Sequence, residues 1–96
     1  MNDMDMHDMV ECINLALIKR GSTWRLVSRV YETSGFINGN SVILKCEVTA
    51  INGDQKLDKF VEDSIMYVKG SISKDTVLDR LKKKILILLI CNIEKL

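Results

Sequence analysis

The only histidine of the chain, His7, lies in the stretch MDMHDM, among methionines and acidic residues. On a helix, Asp3, His7 and Glu11 would share one face, because residues four positions apart lie about one turn apart. Carboxylates with an imidazole can bind a divalent cation, and methionines with a histidine suit copper(I). A metal site requires several converging ligands and supporting hydrogen bonds, which one histidine and scattered acids do not supply. We therefore interpret the stretch as helix-start charges and core methionines, and expect no metal and no cofactor.

The remaining reactive residue types show no spacing typical of catalysis. Catalysis by a nucleophile or by an acid–base pair requires a base beside a nucleophile, or paired carboxylates in a cleft. The five glycines fit turns and helix ends, since neither GxGxxG nor a P-loop pattern is present. Cys12, Cys46 and Cys91 stand far apart among apolar neighbours, as reduced core thiols do. We predict that the protein is not an enzyme.

Basic side chains offer one other candidate chemistry. An exposed aromatic ring among basic residues is what phosphate contact and base stacking require. The formal net charge is only +1, so nucleic-acid binding would depend on a local patch rather than on the overall field. The candidate residues for RNA or DNA binding lie on a predicted strand face and on the last predicted helix: Arg25, Arg29, Tyr31, Lys45, Lys82, Lys83 and Lys84.

Length and composition predict one domain over residues 1–96. Of the 96 residues, 47% are hydrophobic and 28% are charged, which is typical of a folded protein rather than a disordered segment. Because no signal peptide is recognisable and the cysteines look reduced, we expect a cytoplasmic location. Proline is absent, while Ile, Lys, Asp and Asn are plentiful. That composition hints at an AT-rich genome, such as that of a phage or mobile element.

The segment NDMDMHDMVECINLALIKRG carries helix signals at both ends. Acidic and capping residues precede it, a Lys-Arg pair closes it, and Gly21 can adopt the left-handed conformation that ends a helix. Its apolar stripe leaves only a narrow polar strip around Asp8, Glu11 and Asn14. We therefore expect this helix to be covered on more than one side.

Residues 22–54 switch to a period of two, which predicts a β-hairpin. A two-residue turn would pair Val30 with Glu47 and so mix polar and apolar faces. A three-residue loop at positions 37–39 pairs Val30 with Cys46 and Arg29 with Glu47, so we prefer it. The apolar face of the second strand is then Val42, Leu44, Cys46, Val48 and Ala50.

Two further helices are predicted after the hairpin. In residues 55–69, the apolar positions from Leu57 to Val68 fit helical spacing and Gly70 follows as a stop, although SIMYVKGSI also alternates as a strand would. Ser73 is a suitable N-cap for a helix that runs to about residue 92. The isoleucine-rich run ILILLI leaves a short strand after residue 84 as the alternative.

The predicted fold class is α+β, with a two-stranded antiparallel hairpin packed on three helices in the order α-β-β-α-α. The alternative order is α-β-β-β-α. The succession of helix, strands and helix resembles that of double-stranded RNA-binding domains, in element order alone. The closing apolar run Ile85–Cys91 is too short for a membrane anchor, because a spanning helix needs about 20 apolar residues.

These observations favour a non-enzymatic protein-binding module, such as a small phage or mobile-element factor that inhibits or regulates a host protein. More apolar surface is predicted than a two-stranded sheet can cover, so we expect a homodimer or a protein partner. RNA or DNA binding is the alternative function, and no membrane association is expected. The predicted partner or dimer interface lies on the first and last helices: Leu15, Ile18, Leu86, Leu89, Ile90 and Ile93.

Overall fold

The computed structural model describes residues 5–35 and 39–96. They form α1 (Met6–Lys19), β1 (Arg25–Ser34), β2 (Ser41–Asn52), β3 (Gln55–Val68) and α2 (Lys74–Asn92), followed by a single 3-10 turn, Ile93–Lys95. The strands form one antiparallel sheet in the order β1-β2-β3. The α+β class is confirmed, with the element order α-β-β-β-α. The preferred order α-β-β-α-α is wrong, because residues 55–68 form a strand.

The failed helix prediction for residues 55–69 has a physical cause. Leu57, Val61 and Ile65 are four positions apart, and this spacing puts them on one face of a strand as well as of a helix. Pairing decides between the two: β3 pairs with β2 from Ser41–Val68 to Asn52–Gln55. The turn between them uses Gly53 with φ +60°, a left-handed conformation that glycine adopts without strain. The INGD sequence at positions 51–54 therefore marks the turn of the hairpin that β2 and β3 form.

A bulge in β3 further obscured its strand pattern. Val48 pairs with Val61 whereas Ala50 pairs with Leu57, so residues 58–60 all stand opposite Thr49. Lys59 takes up the extra length in a left-handed conformation, with φ 51°. Such bulges insert residues into one strand and bend it. The alternation of buried and exposed residues is consequently regular only from Val61 onward.

The predicted hairpin register between β1 and β2 is confirmed, since Val30 pairs with Cys46 and Arg29 with Glu47. The loop predicted at positions 37–39 includes Ile37 and Asn38, which lie outside the described residues. The apolar face of β2 is buried as predicted, with Val42, Leu44, Cys46, Val48 and Ala50 at most 6% exposed. These side chains join those of α1 and α2 in one hydrophobic core. Both helices therefore cover the same face of the sheet, and we call the opposite one the outer face.

Both predicted helix boundaries are confirmed by their caps. Asp5 accepts a hydrogen bond from the Asp8 N–H at 2.8 Å, and Ser73 accepts one from the Thr76 N–H at 3.2 Å. At the end of α1, Gly21 has φ +80°, and the Ser22 N–H donates to the Leu17 carbonyl at 2.9 Å. This arrangement satisfies carbonyls that would otherwise lack partners.

Asn14 fixes α1 to the edge of the sheet. Its Nδ2 donates to the Leu26 carbonyl at 2.9 Å, and its Oδ1 accepts from the Leu26 N–H at 2.7 Å. The amide thus bonds both main-chain groups of an edge residue, as a neighbouring strand would. Sequence reasoning placed Asn14 in a solvent-facing strip, whereas it is 7% exposed.

We expect Asn14→Ala to lower the free energy of unfolding by about 1–3 kcal/mol, because the Leu26 groups lose their partners in a buried site. Asn92→Ala is the matched control, since Asn92 bonds only groups within four residues of itself, the Leu88 carbonyl and the exposed Lys95 ammonium. Both variants gain the same helix propensity, and the control should lose less than about 1 kcal/mol. Urea denaturation measures both, and equal losses would contradict this role of Asn14.

The buried face of α2 consists of Val77, Leu81, Ile85 and Leu89, spaced four apart and at most 1% exposed. The predicted helix to about residue 92 is confirmed, and the alternative strand after residue 84 is wrong. We expect Leu81→Ala to cost about 2–5 kcal/mol through loss of core contacts. Ile87→Ala, on the opposite side of the same helix, should change stability by less than about 0.5 kcal/mol. Thermal or urea unfolding of the pair tests the assignment of the two faces.

Candidate protein-binding surface

The two helices lie side by side and run in the same direction. Met9, near the start of α1, lines a small cleft together with Lys82, Lys83 and Leu86 of α2. At the other end, the Arg20 guanidinium donates to the Ile93 carbonyl at 3.0 Å. The C-terminal halves of α1 and α2 are adjacent, because these two contacts bracket them.

Four large aliphatic side chains project from these adjacent halves. Leu15 is 60% exposed and Ile18 is 50% exposed on α1, while Ile87 is 62% and Ile90 is 60% exposed on α2. We call these four residues the helical roof. Exposed charged residues lie about one helical turn before or after these four: Glu11, Lys19, Lys83 and Glu94. An apolar centre with a charged rim is the usual anatomy of a protein interface.

The residues predicted for the interface differ in how exposed they are. Leu15, Ile18 and Ile90 are exposed in the helical roof, whereas Leu86 and Ile93 are half-buried against the core. Leu89 is fully buried within the chain's own core and offers no surface. Sequence reasoning missed Ile87, which lies about 160° around the helix from both Ile85 and Leu89. The spacing of four from Val77 to Leu89 contained the signal, because it fixes the opposite side of the helix.

The residues predicted to bind nucleic acid form two separate groups. Arg25, Arg29, Tyr31 and Lys45 alternate with the buried residues of β1 and β2, and so lie on the outer face. Lys82, Lys83 and Lys84 belong to α2, on the other side of the sheet. The two groups therefore do not form one continuous basic surface.

The aromatic ring of the outer face is engaged within the chain. The Arg29 guanidinium carbon lies 4.4 Å from the centre of the Tyr31 ring, a cation–π contact. The Tyr31 hydroxyl donates to Glu47 Oε1 at 2.8 Å, and this hydrogen bond raises the pKa of Tyr31. Glu47 and Glu62 face each other across β2 and β3. Acidic groups thus offset part of the positive charge of this face.

The three lysines of α2 also have acidic neighbours. Lys83 Nζ lies 3.1 Å from Asp79, and Lys82 Nζ lies 4.0 Å from the same carboxylate. Lys84 Nζ lies 3.5 Å from Asp63 of β3. The Lys82 side chain is only 11% exposed. This cluster is therefore partly neutralised and partly enclosed.

The residues considered for metal binding do not converge. His7 is exposed on α1, and Asp3 lies outside the described residues. Met6 and Met9 are buried in the core. Within residues 5–35 and 39–96, no three histidine, cysteine or acidic side chains come together as a metal site requires.

The cysteines differ in environment, which corrects the prediction that all three are core residues. Cys46 is fully buried at the centre of the sheet, whereas Cys12 and Cys91 are exposed on the helices. Burial raises the pKa of the Cys46 thiol to about 12. Since the thiolate is the reactive form, Cys46 is protected by both charge state and access.

We expect the native protein to react at pH 8 with a thiol reagent such as DTNB at two sites, Cys12 and Cys91. Cys46 should react only after unfolding in urea. A variant carrying both Cys12→Ser and Cys91→Ser isolates this behaviour, because its only remaining thiol is Cys46. Rapid labelling of that variant without denaturant would contradict the burial of Cys46.

Comparison of the chain with protein-family models, with curated proteins and with solved structures finds no match. Neither α1 nor α2 combines the length and the hydropathy of a membrane-spanning helix, in the part of the chain that the structure describes.

Proposed function

We propose that the protein is a non-enzymatic protein-binding module that docks on a partner protein through the helical roof, and that it acts as a small inhibitor or regulator. The observation that carries this proposal is the exposure of Leu15, Ile18, Ile87 and Ile90 at 50–62% each, on the solvent sides of two neighbouring helices. Burying such side chains stabilises a complex by roughly 1 kcal/mol or more each. Large exposed apolar surface on a folded protein often marks a contact with another protein.

The geometry supports this function better than RNA or DNA binding. The basic residues are divided between the two sides of the sheet, and each of Lys82, Lys83 and Lys84 lies within 4.0 Å of a carboxylate. Phosphate binding by these lysines would compete with ion pairs already formed in the chain. The helical roof has no comparable internal competitor, because its side chains already face solvent.

A capture experiment tests the helical roof. Tagged native protein is used to capture proteins from a lysate of the source organism, beside a variant carrying both Leu15→Lys and Ile90→Lys. We expect the native chain to retain a defined protein and the variant to lose it, because two charges would be buried at the contact. Val27→Lys is the control, since Val27 is 55% exposed on the outer face.

Circular dichroism and urea unfolding must show that all three proteins are folded. Nuclease treatment of the lysate should leave capture unchanged. The proposal would be contradicted if Val27→Lys and the roof variant lost the partner equally, or if capture disappeared with the nuclease. The second result would instead support the nucleic-acid alternative.

A further inference from the structure

The two edges of the sheet differ in what they offer to another strand. Directly after β1, the Gly35 N–H continues the ladder by donating to the Ser41 carbonyl at 2.9 Å. Paired residues of antiparallel strands alternate between hydrogen-bonded and non-bonded pairs, so odd-numbered residues of β1 bond β2. The main-chain groups of Leu26, Ser28, Val30 and Glu32 therefore point away from the sheet. Asn14 bonds those of Leu26, and the described residues supply no such partner from Ser28 to Glu32.

The β3 edge is interrupted at three places. Lys59 forms the bulge, with φ 51°. The outward N–H of Ser64 donates to the Asp63 carboxylate at 2.8 Å. The outward carbonyl of Val68 accepts from the Ser71 hydroxyl at 2.6 Å and from its N–H at 3.1 Å. Bulges and inward charges of this kind prevent a sheet edge from pairing with another chain.

The open stretch of β1 is also accessible from the side that the helices cover. Val30 projects to that side and is still 38% exposed. The helices therefore leave room beside the strand at this point. A regular edge strand with unpaired main-chain groups is a template for strand addition.

We propose that β1 pairs antiparallel with β1 of a second copy of this chain, about a two-fold axis at Val30, to form a continuous six-stranded sheet. Val30 then lies opposite Val30 of the partner subunit, and Ser28 lies opposite Glu32 of the partner subunit. Each of these pairs exchanges main-chain hydrogen bonds. The pairing ends before Leu26, where Asn14 occupies the edge.

Side-chain chemistry selects both this partner and this register. Arg29 lies opposite Tyr31 of the partner subunit, which repeats the cation–π contact that the two residues already make within one chain at 4.4 Å. Glu32 binds Lys74 through one oxygen at 2.7 Å, and its other oxygen can accept from Ser28 of the partner subunit. A two-fold axis at Arg29 or at Glu32 would instead put like charges opposite each other, which is destabilising.

This inference is independent of the proposed function, because it concerns another surface. Residues opposite each other in a sheet project to the same side, so the pairing of Val30 with its own copy puts both helix layers on one side of the joined sheet. The dimer would present two helical roofs in the same direction. A partner with two or more contact sites would then be bound more tightly than by one chain.

Disulfide trapping tests the pairing. In a background carrying Cys12→Ser and Cys91→Ser, Val30→Cys is oxidised and examined on a non-reducing gel. Residues in a hydrogen-bonded antiparallel pair have Cα atoms about 5.5 Å apart, within disulfide range. We expect a covalent dimer from Val30→Cys and none from Val68→Cys, a control of similar exposure (47%) on β3.

Analytical ultracentrifugation supplies a second measurement in the native background. Val30→Lys should weaken self-association at least about 100-fold, because two charges would meet at the axis, whereas Ile90→Lys should leave it unchanged. The proposal is overturned if the native chain is monomeric at millimolar concentration. It is equally overturned if Val68→Cys links as readily as Val30→Cys, or if Ile90→Lys alone dissolves the dimer. Loss of the dimer in Ile90→Lys alone would mean that the two copies associate through the helical roof. It would leave the separate question of whether the roof captures a different protein to the capture experiment.

Discussion

The fold is organised by the burial of the apolar face of β2, which both helices cover. Five alternate residues of this central strand are buried, from Val42 to Ala50, and they form the floor of the core. An antiparallel sheet can leave its other face in water, and here both helices lie on the apolar side. Each helix therefore has one side committed to the sheet and another left to solvent. The helical roof is the solvent side of that arrangement.

The same constraint separates the surfaces of the molecule by chemistry. On the outer face, Arg29 contacts the Tyr31 ring and the Tyr31 hydroxyl donates to Glu47. These polar side chains therefore have partners within the protein. The helical roof carries aliphatic side chains, which gain only by contact with another apolar surface. The free edge of β1 carries main-chain groups, which gain by contact with a strand. Asn14 sets the boundary of that edge, because it takes the place of a strand at Leu26.

The sequence predicted the features that depend on local signals. A capping residue before the first helix, the cap at Ser73, the left-handed Gly21 and the β1–β2 register all follow from residue type and alternation, and all are confirmed. It predicted β3 only as the alternative to a helix, because a spacing of four serves a helix and a strand alike and the bulge at Lys59 broke the alternation. Asn14 was misplaced for a different reason: its partner, Leu26, is distant in the chain, and no local pattern reports such a contact.

The candidate surface was predicted in part. Leu15, Ile18 and Ile90 were recognised because they widened the apolar stripes beyond what one face needs. Leu89 was misassigned and Ile87 missed, since the run from Ile85 to Cys91 is apolar on every side and hides which side faces the core. The spacing of four that begins at Val77, before this run, indicates the buried side, and the packing of α2 against β2 and β3 confirms it. Strand alternation placed Cys46 correctly on the buried face of β2, whereas the exposure of Cys12 and Cys91 on the helices was not predicted.

Residue-resolved amide hydrogen exchange along β1, measured at low and at high protein concentration, tests the account most directly. Protection reports hydrogen bonding of each N–H. The account predicts that Leu26 is protected at both concentrations through Asn14, whereas Ser28, Val30 and Glu32 become protected only at the higher one. Exchange at Val30 that does not change with concentration, or a Leu26 amide that exchanges as fast as an exposed one, would contradict it.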